Sequence, residues 1–381
     1  MPFRVFIVSL LIFLFALIPV RVFSETALVT ANAYAVVEAS TGRLLAEKNG
    51  DVQMYPASTT KIMTATLALE HGSLTQMVMV SPRAAGVEDT NLRAGDVLTV
   101  DNLLRLMLWR SDNGAAMAIA EHTAGSVEDF ATQMNQKAKD LGMKHTHFTN
   151  PSGLPDPNHY TCAEDLAKLA RYAMQRADFR EYVATQKGEV HWLQPQNRGG
   201  TFENSNELLK TYAGADGVKT GYTHAAGGCL VASARRDGME LIAVVLHANG
   251  ADNGEKERFT DAAKLLDAGF QNTKLVALGK LQAEPQRIWV RGGEAGRVNV
   301  APEEDVRHVP LQTGETLTDC ETRYDLPRIT TAPITKGTRI GDWILLVKGK
   351  EILRVPIVAT EDVPQGWSLL GMIASFFDGR L

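Results

Sequence analysis

Tyr55-Pro56-Ala57-Ser58-Thr59-Thr60-Lys61-Ile62-Met63-Thr64-Ala65 leads from a proline and small residues into good helix formers that run to Leu69-Glu70-His71-Gly72. The pattern predicts a helix starting at or just before Ser58, with Gly72 past its end. Ser58 and Lys61 are three apart, so they share a helix face one turn apart. An alcohol is a weak nucleophile at neutral pH and needs a nearby base. Lys61 can be that base if its charge is suppressed. The helix N-terminus also offers unpaired N–H groups and a positive dipole end, which suit a developing oxyanion. Taken alone, the spacing fits a capping serine followed by a solvated lysine equally well.

Working outward, the chain of 381 residues is long enough for two domains. Its composition, 45% apolar and 22% charged, is that of a folded globular protein. A net charge of −5 leaves no electrostatic footprint for nucleic acid. Arg4 precedes an apolar run from Phe6 to Val20, and Val22-Phe23-Ser24 offers a small residue for cleavage. This reads as a secretory signal peptide with a mature start near Glu25; an uncleaved anchor is the alternative. Either places the protein outside the cytoplasm.

Cys162, Cys229 and Cys320 are too few and too widely spaced for a disulfide framework. They read as buried or free thiols, with one disulfide left open. No Cys-x-x-Cys or His-Glu-x-x-His occurs, and His145-x-His147 alone does not make a metal site. No metal and no cofactor are expected.

Ala33–Glu38 and Arg43–Glu47 flank Ser40-Thr41-Gly42 and predict a β-hairpin at a sheet edge. Leu103–Trp109 reads as a buried helix, and a second helix starts after Arg110-Ser111-Asp112-Asn113-Gly114. A polar Ser-Asp-Asn trio between two apolar helices is a local inconsistency of the kind found at functional sites; helix capping is the plain alternative. Helices are also expected over Phe130–Leu141, Thr161–Met174 and Arg258–Phe270, with a loop at Asn150–Pro155. Gly214-Ala215-Asp216-Gly217 reads as a turn before Val218–Thr223. Gly228–Ala234 and Met239–Leu246 form a hairpin around Asp237-Gly238, so Lys219-Thr220-Gly221 opens or lies on a neighbouring strand. After Asn272 short strands between Gly- and Pro-bearing turns predict a separate all-β domain.

Gly366–Leu381 is apolar, with Ser368, Gly371, Ser375, Asp378 and Gly379 on one narrow helical face. Sixteen helical residues reach about 24 Å, short of a bilayer core of roughly 30 Å. An interfacial anchor fits, although Arg380 is its only basic residue; a terminal packing helix or self-association patch is the alternative.

Ser58-x-x-Lys61, Ser111-Asp112-Asn113 and Lys219-Thr220-Gly221 occur in that order. This triple is shared by penicillin-binding proteins and class A β-lactamases. The chain resembles the low-molecular-mass penicillin-binding proteins that are serine D-alanyl-D-alanine carboxypeptidases, over nearly its whole mature length. The likeness includes Pro151-Ser152-Gly153-Leu154 and Asp216-Gly217-Val218. The resemblance implies an α/β (α+β) fold: a first domain, 25–271, with a central antiparallel sheet flanked by helices, a β-rich domain, 272–363, and an amphipathic tail, 364–381. It implies Ser58 as nucleophile, Lys61 as base and Ser111 as proton relay. Asn113 would orient Lys61 and hold the substrate amide, and burial together with the nearby Lys219 would lower the pKa of Lys61. Backbone N–H groups of Ser58 and Tyr222 would form the oxyanion hole. Thr220 and Arg258 would seat the substrate carboxylate, beside Gly221. Peptidoglycan stem peptides and β-lactams are the implied partners, with peripheral membrane contact through the tail and no nucleic acid; oligomeric state is open. A β-lactamase, a DD-endopeptidase and a non-catalytic wall-binding protein are the competing readings. No Glu-x-x-Leu-Asn of the lactamase type lies between Asn113 and Lys219, and neither Ser58 nor Lys61 is lost.

Overall fold

The computed structural model describes residues 29–250, 254–366 and 369. The expected signal peptide and most of the expected anchor lie outside the described residues.

Five strands make the central sheet of the first domain: β1 (Ala33–Glu38), β2 (Leu44–Lys48), β3 (Ala215–Thr223), β4 (Gly227–Arg236) and β5 (Met239–Ala248). Their order is β2-β1-β5-β4-β3, and every pairing is antiparallel. Burial on both faces explains why Leu241–Leu246 is a continuous apolar run. Leu241, Ala243 and Val245 meet helix α5 (Glu257–Asn272) on one face. Ile242, Val244 and Leu246 face the larger core, built from α1 (Lys61–His71), α2 (Val100–Trp109), α3 (Asn113–Ala124) and α4 (Ala163–Met174).

Helix α1 is buried along Lys61–Leu69, on all its faces. That is why its sequence shows no polar stripe. One single 3-10 turn, Ala57–Thr60, leads into it, and Gly72 caps its end.

The expected turn at 214–217 is corrected. Only Gly214 has a left-handed φ, +86°; Ala215 and Gly217 pair with Ala234 and Ser233 across a bulge at Asp216. Asp216 is held there by Ser233 Oγ, Arg180 and Arg235. Turn-forming residues are thus recruited into an irregular strand end by side-chain pairing.

The second domain is all β. Six strands order as 320–325, 339–347, 350–359, 297–302, 286–291 and 329–331, beside a separate pair, 273–277 with 308–312. Trp343, Val290, Val298 and Ile357 lie in its core. Residues 364–366 run tied to Gly292–Glu294, so the sheet region reaches three residues beyond Val363.

The two domains meet at the β2 edge. Arg43 Nη2 donates to both carboxylate oxygens of Glu315 at 2.8 Å, and Nη1 donates to Pro310 O. Both side chains are nearly sealed from water, at 6% and 2% exposure, so losing one partner strands the other charge. Glu315→Gln is expected to lower stability by about 3 kcal/mol in denaturant unfolding of the full chain; an unchanged midpoint would show that the pair holds nothing together.

Candidate active site

Ser58 sits in the 3-10 turn and Lys61 opens α1, so both project from one end of a buried helix. Lys61 Nζ lies 2.8 Å from Ser58 Oγ, 2.7 Å from Asn113 Oδ1 and 2.7 Å from the Ser152 carbonyl oxygen. Two of these three partners are carbonyls and can only accept. A neutral amine has two N–H donors and one lone pair. With its donors on Asn113 and Ser152, the lone pair is left for the Ser58 hydroxyl proton. Burial pushes the Lys61 pKa down to about 7, against the opposing pull of the Asp112 and Asp89 carboxylates.

A second cluster lies across the cleft. Lys219 on β3 contacts Ser111 Oγ at 3.1 Å and donates to the Thr220 carbonyl at 3.0 Å. Thr220 Oγ1 shares a hydrogen bond with Ser205 Oγ at 2.9 Å. Ser111 has φ +61°, a conformation unusual for a residue with a Cβ. Burial, then the Lys61 and Arg258 charges, holds the Lys219 pKa well below normal. Burial is the main cause for both lysines, and the repulsion between the two amines acts on each of them.

Two close approaches bring these parts together. A Cβ at Gly221 would lie 2.9 Å from Ser58 N, so only glycine lets the edge strand β3 come this near the Ser58 turn. A Cβ at Gly153 would lie 1.8 Å from the Ala57 carbonyl oxygen, and Gly153 also has φ +86°. The Asn150–Leu154 loop is thus pressed onto the turn. Asn150 Oδ1 accepts from the backbone of Ser152 and Gly153, and Thr64 Oγ1 donates to Pro151 O at 2.6 Å.

A family model described as D-alanyl-D-alanine carboxypeptidase, peptidase family S11, matches residues 21–250. The chain belongs to that family. A second model, the C-terminal domain of penicillin-binding protein 5, matches residues 270–365. D-alanyl-D-alanine carboxypeptidase DacF of Bacillus subtilis is 33% identical over 340 residues, covering 87% of this chain and 86% of the relative. DacC of Escherichia coli is 33% identical over 90% of this chain and 86% of its own length. Penicillin-binding protein 5 from Haemophilus influenzae superposes with a TM-score of 0.68 at 29% identity, covering 90% of this chain and 99% of its own. A variant of the Streptomyces K15 DD-transpeptidase covers 64% of this chain and 99% of its own at a TM-score of 0.60 and 31% identity.

In this S11 family member the remaining expected residues fall as follows. Arg258, at the start of α5, is buried and donates to the Gly221 carbonyl at 2.9 Å. Its guanidinium also lies over the Phe259 ring, 4.9 Å from the centroid. Tyr222 follows Gly221 on β3, its ring 6.0 Å from that of His224. The three cysteines are free and buried, and Cys229 pairs with Gly221 across β3 and β4. Burial raises the Cys162 and Cys229 thiols to about 12 and about 11, so neither is a ready nucleophile. His145, Cys162 and Asp165 bring ligand atoms within 4.8 Å of one another. The Asp165 oxygens are already taken by His145 N, Thr146 Oγ1 and Lys168 Nζ, which argues against a cation there. Among the described residues no helix is long and apolar enough to cross a membrane.

Sequence reasoning missed three contributors. The Ser152 carbonyl is a backbone group and leaves no residue-type signal. Ser205 stands outside every motif. His159 is buried under the turn: its Nδ1 accepts from Thr149 N at 3.1 Å, which leaves Nε2–H for Thr60 Oγ1 at 2.8 Å. Burial lowers its pKa to about 4, so it stays neutral.

Gly153→Ala must push the loop off Ala57 and strain its own backbone. The expected result is a loss of roughly 1–3 kcal/mol of stability together with slower penicillin acylation; wild-type acylation would show that the loop does not set the Ser58 turn.

Proposed function

We propose that this chain performs serine acyl transfer with Ser58 as nucleophile and Lys61 as its base. The activity is that of its family: a serine-type D-alanyl-D-alanine carboxypeptidase, a hydrolase acting on peptidoglycan stem peptides and acylated by β-lactams. The observation that carries the residue assignment is the buried Lys61 amine, 2.8 Å from Ser58 Oγ with both of its other partners acceptors.

In acylation, Ser58 Oγ bonds to the carbonyl carbon of the penultimate D-alanine while its proton passes to Lys61. The N–H groups of Ser58 and Tyr222 receive the oxyanion. The C–N bond breaks, and the proton taken by Lys61 is relayed through the Ser111 hydroxyl to the departing amine, which leaves Lys61 neutral again. Water then attacks the ester, Lys61 taking a proton from it and giving that proton to Ser58 Oγ as the ester C–O bond breaks. In a β-lactam the leaving nitrogen stays tethered, which slows that second attack.

The terminal carboxylate of the substrate is seated by Thr220, Ser205 and Lys219. Its negative charge favours the protonated form of Lys219, against the burial that disfavours it. Arg258 supports this seat through the Gly221 strand. Asn113 holds Lys61 and is placed to take the substrate amide. A second acceptor in place of water would make the same acyl-enzyme a transpeptidase, the activity named for the Streptomyces K15 relative.

The features of residues 1–24 and 366–381 support secretion and peripheral attachment to the outer face of the membrane, with the catalytic domain at 25–271 and the β-rich domain from 272. Truncation after Gly366 is expected to move the protein from membrane to soluble fractions while activity on small peptides is kept. An unchanged membrane fraction would remove the anchor from this proposal.

The central test is release of D-alanine from a pentapeptide ending in D-Ala-D-Ala, with penicillin acylation followed across pH. A base must be uncharged, so the acylation rate should rise with pH through about 7. Lys61→Ala should lower it roughly 10²–10⁴-fold in a protein that still melts cooperatively, and Ser58→Ala should abolish the label. Acylation retained in Lys61→Ala would refute the base assignment.

A further inference from the structure

The middle residue of Ser111-Asp112-Asn113 bonds neither lysine. Its carboxylate, buried at 2% exposure, faces the chain on the other side. Asp112 Oδ1 accepts from Ala115 N and from Thr90 Oγ1, each at 2.8 Å; Oδ2 accepts from Asn91 N at 2.7 Å. The first bond caps α3. The other two tie the 88–92 loop to that helix start.

The loop answers on Asn113. Its backbone N–H donates to the Asp89 carbonyl at 3.2 Å, and its Nδ2 donates to the Glu88 carbonyl at 3.0 Å. An amide that gives its NH2 group to Glu88 must turn its oxygen the other way, and that oxygen is the one 2.7 Å from Lys61 Nζ. Flipped, it would set N–H donors against the amine. Close contact leaves no slack: a Cβ at Gly114 would lie 2.2 Å from Thr90 Oγ1.

We infer that Asp112 is a positioning residue for the base. By clamping Thr90 and Asn91 to the start of α3, it fixes the Asn113 amide with its oxygen toward Lys61. This rests on the reading of Lys61 as base. The clamp has an electrostatic consequence. The groups around Lys61 are Asp112 at the α3 cap, Asp89 on the loop, Lys219 on β3 and the neutral His159. The two carboxylates favour the charged amine. Asp112 therefore aligns the base and at the same time holds its deprotonation at a higher pH than burial alone would set.

Two variants separate these effects, both read as penicillin acylation rate against pH per active site titrated. Asp112→Asn removes the charge and one acceptor. Its acid limb should move to lower pH, and its plateau should fall roughly tenfold, the worth of one good hydrogen bond. Thr90→Val cuts a loop bond but leaves the carboxylate and the helix cap. Its plateau should fall while its acid limb stays in place, and this second variant decides if Asp112→Asn does not fold. A cap with only a structural role would lower the melting temperature and leave both curves on the wild type, which overturns the inference. A flat wild-type profile would overturn the base assignment itself; an acid limb common to wild type and Asp112→Asn, with an unchanged Thr90→Val plateau, would overturn only the role given to Asp112.

Discussion

A buried lysine amine enclosed by three oxygen atoms, its pKa lowered by that burial, is the constraint on which the rest of the structure depends. A lysine in water holds its proton to about 10.5; here burial brings that down to about 7. Between those values the unfolded chain binds the proton and the folded chain does not, so this group opposes folding as pH falls from 10.5 to 7. At pH 7 the cost is roughly 5 kcal/mol, a large share of the stability of an ordinary domain. It is offset by a helix buried on all sides, between an apolar sheet face and α2, α3 and α4. The same enclosure that stabilises the fold keeps water away from the amine.

The architecture keeps the site free of the second domain. The sheet order puts β3, with Lys219 and Gly221, at one edge and β2 at the other. The β-rich domain attaches through Arg43 and Leu45 on the β2 side, where Gln312 Nε2 also donates to the Leu45 carbonyl. Four strand spacings, roughly 19 Å, separate the two edges. β3 ends the sheet, and the glycine that lets it close on Ser58 is in the Lys-Thr-Gly motif itself.

Much of this was legible in the sequence, and for identifiable reasons. The β5 run and its Asp-Gly hairpin, the helix after Ser58, and the change of texture after Asn272 are local patterns. The structure bears out the mixed fold, the antiparallel sheet and the all-β second domain. The three motifs hold Ser58, Lys61 and Asn113 in one cluster and Ser111 and Lys219 in a neighbouring one, because each motif is a short rigid segment. What the sequence hid was set by tertiary contact. Asp216 joins a strand because Arg180 and Arg235 lie beside it, far away in sequence. Ser152 acts through a carbonyl, which every residue has. Arg258 lies beside β3 through the Gly221 carbonyl, a backbone contact that residue types do not signal. The opposing pull of Asp112 and Asp89 on Lys61 was not legible, since the sequence does not show which carboxylates lie near the amine.

The most direct measurement is of the Lys61 proton itself. Carbon-13 at lysine Cε, assigned by comparison with Lys61→Arg and followed by NMR across pH, reports each amine separately. A Lys61 midpoint near 7 is expected in the free protein, vanishing or moving once penicillin occupies Ser58. A midpoint near 10.5, the value of an exposed lysine, would contradict the neutral base and leave Ser58 without a proton acceptor.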